Sequence, residues 1–426
     1  MSFIHEQSRE GMPPSLDLFE VPLTMAVQQN SRYTAYSPLT SLAEQSSIEF
    51  DIPSSEYTYL DLSRSYLQLK VRIVSPDGIK YNDDRNIGPV NLLLHSLFSQ
   101  VDIYLNSQLV STSNNLYAYK SYLQTLLNYS QDKKKSILQT QGFYEDTPGH
   151  LEDTTVHNAG FTARKALMKK SSEIELVGRL NSELFSQERL LPSNTDLKIK
   201  LTRTKDSFAL MGTVPSKLEI TECFLFIRRV EINPELVSSQ EKVALKTPYK
   251  FILNKADVRY IIAPAGSSFI NRENLSVGDI PSRVVIAMVS TEAFQGNFNF
   301  NPFNMRSFGL QTCSLYLNGV AVPSKRYDLS KDNVERIYYD SFEALDLVSS
   351  GRDNGIDLKR YKNGSFFVAF DLTPSHAYDE AFLNPLVKGS LRFEAQFNPA
   401  LPSSVVILFY MEVEGVLQLD KNRQVV

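Results

Sequence analysis

The sequence predicts an all-β protein made of two similar units in tandem. Apolar and polar residues alternate along several segments, which is the pattern of a strand with one buried face. The chain has 426 residues, more than a single hydrophobic core usually supports. In addition, "VDIYLNSQLV" at 101–110 is repeated as "CSLYLNGVAV" at 313–322, with Tyr-Leu-Asn at its centre. A motif repeated half a chain apart indicates two units with related folds.

The composition is that of an ordinary globular protein with an aromatic core. Hydrophobic residues make up 42% and charged residues 22%. Twenty-five Phe and 21 Tyr, with no Trp, favour pleated surfaces. A formal net charge of −4 argues against a protein whose main task is to neutralise nucleic acid. The two cysteines, Cys223 and Cys313, cannot provide a disulfide framework for this length, so a reducing compartment is permitted.

Neither a secretion signal nor a membrane span is predicted. The N-terminus lacks a basic start followed by an apolar stretch. No apolar run approaches the roughly 20 residues that cross a bilayer. The longest, at 405–411, has the length of a buried strand. We therefore expect a soluble chain that is not secreted.

Composition and periodicity divide the chain into five parts. The first is rich in Ser, Gln, Thr and Pro, and a polar stretch with Pro234 separates the two β units. The predicted organisation is an N-terminal arm, a first β unit, a linker, a second β unit and a C-terminal tail, at residues 1–45, 46–230, 231–245, 246–415 and 416–426.

Three segments show the strand period most clearly, and two turns accompany them. The segments lie at 66–74, 196–201 and 391–397, with inward positions at Leu67, Leu69, Val71, Ile73, Leu197, Ile199, Leu201, Leu391, Phe393, Ala395 and Phe397. Asn106 and Asn318 sit in tight turns, because Asn tolerates the positive φ that a two-residue hairpin requires. The repeated motif is therefore predicted to be strand, turn, strand.

One short helix is predicted in each unit. The stretch at 114–130 places Leu116, Tyr119, Leu123 and Leu126 at helical spacing, with an Asn pair before them as a cap. The stretch at 372–386 offers Thr373 as N-cap and Pro374 at the first helical position, and ends before Pro385.

The search for a chemical site finds no motif. Phosphate loops, dinucleotide-binding glycines, nucleophile elbows and zinc-protease motifs are all missing from the sequence. His150 and His157, with Glu152 and Asp153 between them, are candidate metal ligands. An exposed polar loop is the favoured interpretation, because no other His or Cys is near in sequence. The basic run at 131–136 fits a solvated helix end or a nucleic-acid contact. We predict no catalytic, cofactor-binding or metal-binding residues, and no enzyme.

Two long stretches carry a resemblance to a known family. "PVNLLLHSLFSQVDIYLNSQLV" at 89–110, followed by "NLYAYKSYLQTLLNYS" at 115–130, resembles the first-half signature of the major capsid proteins of Polintons (Mavericks) and adintoviruses. The stretch at 389–426 resembles their C-terminal signature. The resemblance implies a double jelly roll like that of adenovirus hexon, with two tandem eight-stranded sandwiches and short helical insertions.

The function implied by this resemblance is that of a virion protein. Three copies would form a pseudo-hexagonal capsomer, and capsomers would tile an icosahedral shell around double-stranded DNA inside the host cell. The implied partners are two further copies, neighbouring capsomers, and penton (vertex) and minor capsid proteins, with no cofactor. The arm and the tail would reach neighbouring subunits, and the connections at 131–195 and 325–360 would face outward. The repeated hairpin would mark equivalent positions in the two jelly rolls.

Two other function classes fit a tandem sandwich. A copper monooxygenase needs His-rich clusters, and no His-x-His occurs here. A glycosidase or amidase that uses only Asp and Glu remains open at the level of sequence. A carbohydrate-binding sandwich would need an aromatic-lined loop, and no such motif is evident.

Overall fold

The chain forms two antiparallel β-sandwiches, each made of two four-stranded sheets. The structure, a computed structural model, describes residues 11–19, 21, 23–42, 47–111, 114–329, 333–374 and 383–426. The predicted all-β class is confirmed, and every strand pairing within these ranges is antiparallel.

The first sandwich is formed by the N-terminal half. Its strands are β1 (Gln28–Tyr36), β2 (Ser47–Ile52), β3 (Thr58–Val74), β4 (Ile87–Pro89), β5 (Phe98–Leu105), β6 (Gln108–Leu109), β7 (Ile174–Gly178), β8 (Leu197–Arg203), β9 (Leu210–Gly212) and β10 (Lys217–Ile232). The two sheets have the strand orders β1-β10-β3-β7 and β2-β8-β5-β6, and β4 pairs separately with β9.

The second sandwich is formed by the C-terminal half. Its strands are β11 (Tyr249–Ala263), β12 (Phe269–Asp279), β13 (Arg283–Ser290), β14 (Leu310–Leu317), β15 (Val320–Asp328), β16 (Phe367–Asp371), β17 (Lys388–Phe397) and β18 (Val405–Leu419). The strand orders are β11-β18-β13-β16 and β12-β17-β14-β15.

The two sandwiches share one topology. When the eight strands of each sandwich are counted along the chain, with the β4–β9 pair set aside, both give the sheet orders 1-8-3-6 and 2-7-4-5. In this arrangement strands consecutive in the chain alternate between the two sheets, except for the fourth and fifth, which form a hairpin within one sheet, as in a jelly roll. The structure therefore confirms two tandem eight-stranded jelly rolls.

The predicted inward positions form the cores. In β3, the side chains of Leu67, Leu69 and Val71 have no exposed surface, and those of Leu197 and Ile199 in β8 are equally buried. The intervening Gln68, Lys70 and Arg72 keep part of their surface in solvent. In contrast, both faces of β18 are buried from Val405 to Glu412, which explains its continuous apolar run.

Helices are more numerous than predicted. They are α1 (Leu93–Ser96), α2 (Tyr117–Asn128), α3 (Gln131–Lys134), α4 (Ala159–Leu167), α5 (Glu183–Ser186), α6 (Asp206–Ala209), α7 (Pro234–Ala244), α8 (Thr291–Gln295), α9 (Glu335–Glu343) and α10 (Leu358–Lys362), with 3₁₀ turns at Pro14–Leu16, Ile137–Gln141 and Lys169–Ser171. The short ones lie in long connections, where packing rather than periodicity forms them. The predicted helix at 372–386 falls largely on 375–382, outside the described residues.

Helix α2 confirms the predicted first-half helix and occupies a central place. All four predicted apolar positions are buried. Tyr117 belongs to the core of the first sandwich, whereas Leu123 belongs to the core of the second. The predicted Asn cap is wrong, because Leu116 occupies the N-cap position and no side chain caps the helix there. Asn114 instead accepts a hydrogen bond from the Leu116 backbone N–H (3.1 Å).

The structure also shifts the predicted boundaries. Strand β1 lies within the segment expected to be an arm, yet it pairs with β10 and belongs to the first sandwich. The predicted linker contains the end of β10 and helix α7, for which Asn233 is the N-cap and Pro234 the first residue. The predicted tail begins inside β18, and Leu417 and Leu419 pack into the core of the first sandwich.

Candidate assembly surfaces

The turn between β5 and β6 is built around Asn106. Asn106 has φ 44° and Ser107 has φ 69°, as a two-residue hairpin turn requires. The Asn106 backbone N–H donates to the carbonyl of Asp196 (3.0 Å). In return, its side-chain Oδ1 accepts from the Asp196 backbone N–H (2.8 Å). The amide side chain therefore ties the turn to the start of the neighbouring strand β8.

The turn between β14 and β15 repeats this geometry. Asn318 has φ 50° and Gly319 has φ 84°. The Asn318 backbone N–H donates to the carbonyl of Ser390 (3.0 Å). Its Oδ1 accepts from the Ser390 backbone N–H (2.9 Å). Asn is required at both turns because it combines tolerance of positive φ with a short acceptor that reaches the neighbouring strand.

The two hairpins occupy equivalent places in the two jelly rolls. Strands β5 and β14 are each third in their sheet order, and β6 and β15 are each fourth. The prediction that the repeated motif marks equivalent positions is confirmed. The hairpins differ in one respect: Asn106 also donates through Nδ2 to the carbonyl of Arg423 (2.9 Å), near the end of the chain.

Residues 420–426 turn back onto the first sandwich. The Arg423 side chain is 3% exposed, and its Nε donates to the carbonyl of Ser193 (2.9 Å). Its guanidinium carbon lies 4.7 Å from the ring centroid of Tyr249. In this chain the tail thus joins the two jelly rolls rather than extending away from them.

The free edge of β11 is covered by the first sandwich. Asn114 donates through Nδ2 to the carbonyl of Val258 (2.8 Å), and the Ala256 backbone N–H donates to Glu183 Oε1 (3.1 Å). Glu183 also pairs with the Nζ of Lys120. Although burial opposes it, this ammonium holds the pKa of the Glu183 carboxyl below its usual value. Side chains of the first sandwich therefore bind backbone groups of an edge strand of the second.

A second junction lies in the connection at 131–195, which was expected to face outward. Arg164 is 1% exposed and donates to the carboxylate of Asp146 (2.8 Å). Asn301, from the other half, donates to the same carboxylate (3.3 Å). Arg360 likewise pairs with Glu145. This part of the connection is an interior joint between the jelly rolls and not an outer tower.

The basic run at 131–136 is divided between solvent and interior. Lys133 and Lys135 are exposed, whereas Lys134 is buried. The Lys134 Nζ donates to the carbonyls of Leu126 (2.7 Å) and Asn354 (2.6 Å). Burial, with a contribution from nearby Arg360, lowers the pKa of Lys134 to about 7. The run is therefore not a uniform basic surface, and its central residue links the two halves.

His150 and His157 lie together, but the structure does not bring Glu152 to them. His150 bonds through Nδ1 to Asp153 (2.7 Å), and its ring stacks on that of His157 at 5.7 Å. Glu152 instead accepts from Asn304 (2.8 Å). Within the described part of the chain, no cluster of three or more His, Cys, Asp or Glu could hold a metal ion.

The two cysteines and His95 are buried. Burial raises the pKa of the thiols of Cys223 and Cys313 to about 12, and neither cysteine forms a disulfide. His95 bonds to Tyr117 (2.9 Å) and to Gln141 (3.1 Å), and burial lowers its pKa to about 4. A neutral imidazole and two protonated thiols fit packing roles rather than catalysis. None of the helices within the described ranges is long and apolar enough to cross a membrane.

Among the described residues, two exposed surfaces are of interest for assembly. The first is the N-terminal segment, where apolar side chains are exposed at Met12, Leu16, Leu18, Phe19, Val21, Leu23, Met25 and Val27. The second is β1, in which no residue is buried although it lies at the edge of its sheet. An uncovered apolar segment and an unpaired strand edge are both typical of surfaces that bind another chain.

Comparison with solved structures finds a similar fold in proteins of several viruses. The chain is similar to a chain in the 3.5 Å cryo-EM structure of the Sputnik virophage, with TM-score 0.69 and 12% identity over 100% of this chain and 94% of that chain. It is similar to the mavirus major capsid protein, with TM-score 0.54 and 10% identity over 100% and 96%. For the Faustovirus major capsid protein the values are 0.56 and 8%, over 94% and 92%.

The comparison with curated sequences gives a relative without an assigned role. An uncharacterized protein of Caenorhabditis elegans, F54H12.2, is 23% identical over 421 residues, covering 95% of this chain and 98% of that protein. No family model matches the sequence. The structural likenesses thus show the double jelly-roll fold along the full chain.

Proposed function

We propose that this chain is a major capsid protein that forms homotrimeric, pseudo-hexagonal capsomers. The observation that carries the proposal is the pair of tandem jelly rolls with one strand order. In support, the fold of the chain is similar to that of the mavirus and Faustovirus major capsid proteins over 96% and 92% of those chains. The Polinton and adintovirus type is the subgroup that the motifs at 89–130 and 389–426 favour.

The physical argument for this role is geometric. Identical chains that associate head to tail close into a ring when the rotation between them divides a full turn. Three chains with two similar jelly rolls each place six similar modules around one axis. The outline is then close to hexagonal, and hexagonal tiles cover a surface without gaps. Such tiles, with separate penton and minor capsid proteins at the vertices and seams, are suited to an icosahedral shell, which we propose encloses double-stranded DNA.

The surface features support assembly rather than catalysis. The exposed apolar segment at 11–27 and the uncovered edge of β1 both need a partner chain. The titratable groups that burial perturbs most are ordered inside cores or at the junction between the jelly rolls. The proposed location is the virion, after assembly in the host cell, and the proposed partners are copies of this chain and vertex and minor capsid proteins.

The test is the solution mass of the purified full chain, measured by size-exclusion chromatography with light scattering. The chain has a mass of 48.3 kDa, and the capsomer predicts a particle of three times this mass that survives dilution. Electron microscopy of the same fraction should show hexagonal outlines. A monomer at every concentration tested would contradict the trimeric capsomer.

A further inference from the structure

The segment at 10–27, which leads into β1, has the pattern of an extended chain with one apolar face. Larger apolar side chains recur at every second position and are exposed, at Val21, Leu23, Met25 and Val27. Three prolines in the segment disfavour a helix. The segment contains no Lys or Arg, and its acidic residues are Glu10, Asp17 and Glu20. It therefore combines an apolar face with a negative charge.

The stretch at 242–252, from the end of α7 into β11, has the opposite charge. It contains no Asp or Glu, and its basic residues are Lys242, Lys246 and Lys250. All three are exposed, and none forms an ion pair with a residue that the structure describes. Exposed apolar side chains lie among them, at Val243, Leu245 and Ile252. This stretch is therefore a basic surface with apolar side chains of its own.

The two surfaces are carried by neighbouring parts of the fold. The acidic segment joins the first sandwich where the Asn233 backbone N–H donates to the carbonyl of Val27 (3.0 Å), and Asn233 is also the N-cap of α7. Helix α7 then leads directly to the basic stretch. Within the chain the two surfaces do not cover each other, because the apolar side chains of both are exposed. Each copy thus presents one surface of each kind.

We propose that the acidic segment at 10–27 of one copy docks on the basic stretch at 242–252 of another copy. A second copy fits as the occupant because the two surfaces are opposite in charge, are both apolar, and are present once in every chain. Extended at about 3.3 Å per residue, the segment spans up to about 60 Å, which is enough to reach a neighbouring copy. The inference rests on the proposed capsid function and specifies a contact between its copies.

Charge and apolar contact have different parts in this docking. Complementary charges speed the encounter and set the direction in which the segment lies. Apolar contact removes exposed side chains of both surfaces from water and so opposes dissociation. Because the lysines are exposed, salt screens their attraction for the segment, and the docking should weaken as the ionic strength rises.

The first test maps the contact with a photo-crosslinker in the full chain. A ¹⁵N-labelled Leu23→p-benzoylphenylalanine variant is mixed with unlabelled wild type before assembly and irradiated, and the products are mapped by mass spectrometry. We expect links from the labelled segment to unlabelled peptides that cover 242–252. The matched probe is Ile79→p-benzoylphenylalanine, at another exposed apolar residue on the turn after β3, and it should give no link to 242–252.

The second test exchanges the charges and uses the yield of the same links as its measure. Lys242→Glu/Lys246→Glu places like charges on the two surfaces and should lower the yield at least roughly tenfold. Adding Asp17→Lys/Glu20→Lys to the same chain restores opposite charges and should return the yield to within about threefold of wild type. Because Lys242 and Lys246 are exposed, their replacement should leave the melting temperature unchanged.

The control Lys133→Glu/Lys135→Glu reverses two exposed lysines of another helix and should leave the yield unchanged. Links between copies that avoid 242–252, or links only among labelled copies, would overturn the docking. The reversed-charge chain would also overturn it by linking at wild-type yield. In these cases the capsomer stands when the wild type still reaches the trimer mass. A wild type that stays monomeric and gives no link contradicts the capsomer and the docking together.

Discussion

The two jelly rolls are alike in topology and unlike in what surrounds them. Strand β11 and strand β1 occupy the same place in corresponding sheets of the two jelly rolls, but Phe251, Leu253 and Val258 of β11 are buried while no residue of β1 is. The two strands differ in burial because different elements pack against their edges. The first jelly roll covers β11 within the chain, and nothing among the described residues covers the edge of β1.

The amino-acid sequences of β1 and β11 differ in the same way as their burial. Strand β11 contains Phe, Ile, Leu and Val, whereas β1 reads "QQNSRYTAY". A strand edge that is covered permanently can carry large apolar side chains. An edge that is exposed to solvent before a partner binds is less prone to aggregate when its side chains are polar or charged, because such side chains limit indiscriminate strand pairing. The same topological position is therefore an internal joint in one jelly roll and a polar, exposed edge in the other.

The largest loss of folding stability is expected from breaking the buried ion pair between Arg164 and Asp146, at the junction between the jelly rolls. Arg164→Met leaves the Asp146 carboxylate buried with only Asn301 as a donor from the other half. Removing one partner of a buried pair typically costs about 3–5 kcal/mol, and we expect that loss in urea unfolding. The double variant Arg164→Met/Asp146→Leu should recover part of it. Arg85→Ala, at an exposed ion pair with Asp83, should cost less than about 1 kcal/mol.

A pH-dependent effect is expected at Lys134, whose pKa burial lowers to about 7. The unfolded chain keeps a proton on this lysine up to its ordinary pKa of about 10.4. Between these values only the unfolded state is charged there, so this group reduces the stability as the pH falls from about 10 to about 7. Below about pH 7 its contribution is constant.

The variant Lys134→Met removes this titration. Its stability relative to wild type should rise by about 1.4 kcal/mol for each pH unit lowered between about 10 and 7, and then level off. Denaturant unfolding over a pH series measures the difference. Lys133→Met, at an exposed position of the same helix, should give a flat difference. A flat difference for Lys134→Met would mean that the buried lysine stays charged.

A smaller effect on stability is expected from the same Asn→Asp substitution in each of the two hairpins. Asn→Asp keeps the Oδ1 acceptor and removes the Nδ2 donor. Asn106→Asp therefore loses the bond to the Arg423 carbonyl, and we expect it to cost about 1 kcal/mol. Asn318→Asp should be close to neutral in thermal unfolding, because the bonds to Ser390 remain. Equal costs at the two sites would mean that docking of the tail adds nothing to stability.

The smallest effect on folding stability is expected from deleting the N-terminal segment. Removing residues 1–27 ends before β1 begins at Gln28, and the apolar side chains at 11–27 that it deletes are exposed. The melting temperature and the trimer mass should therefore be unchanged, while formation of shells should be impaired. Electron microscopy of assembly reactions measures the latter. Normal shells from the truncated chain would remove the segment from any role in assembly.

Local patterns predicted the regular part of the fold well. Alternation in "YLQLKVRIV" and "LRFEAQF" predicted which side chains enter the cores, since a strand with one buried face repeats every two residues. The repeated Tyr-Leu-Asn predicted two equivalent hairpins, because the turn imposes its own demand on Asn at each site. Helix α2 was predicted from its spacing, although the predicted Asn cap was wrong.

The parts that sequence reasoning missed depend on distant neighbours. Strand β1 was read as part of an arm because its polar residues show no buried face, and its pairing with β10 uses backbone groups that carry no sequence pattern. The joint at Asp146 and Arg164 lies in a connection with neither clear periodicity nor a motif. A carboxylate and a guanidinium are ordinary residues in a sequence, and only the tertiary structure shows that this pair is buried.

The sequence by itself determined that the chain would form two β units with matching hairpins, since strand period and turn chemistry act over a few residues. Only the tertiary structure decided which strand edge is covered, where the tail lies and which charges are buried. These outcomes arise from contacts between residues up to several hundred positions apart, such as Asn106 with Arg423. Each such contact depends on the relative placement of the two jelly rolls, and no short stretch of sequence encodes that placement.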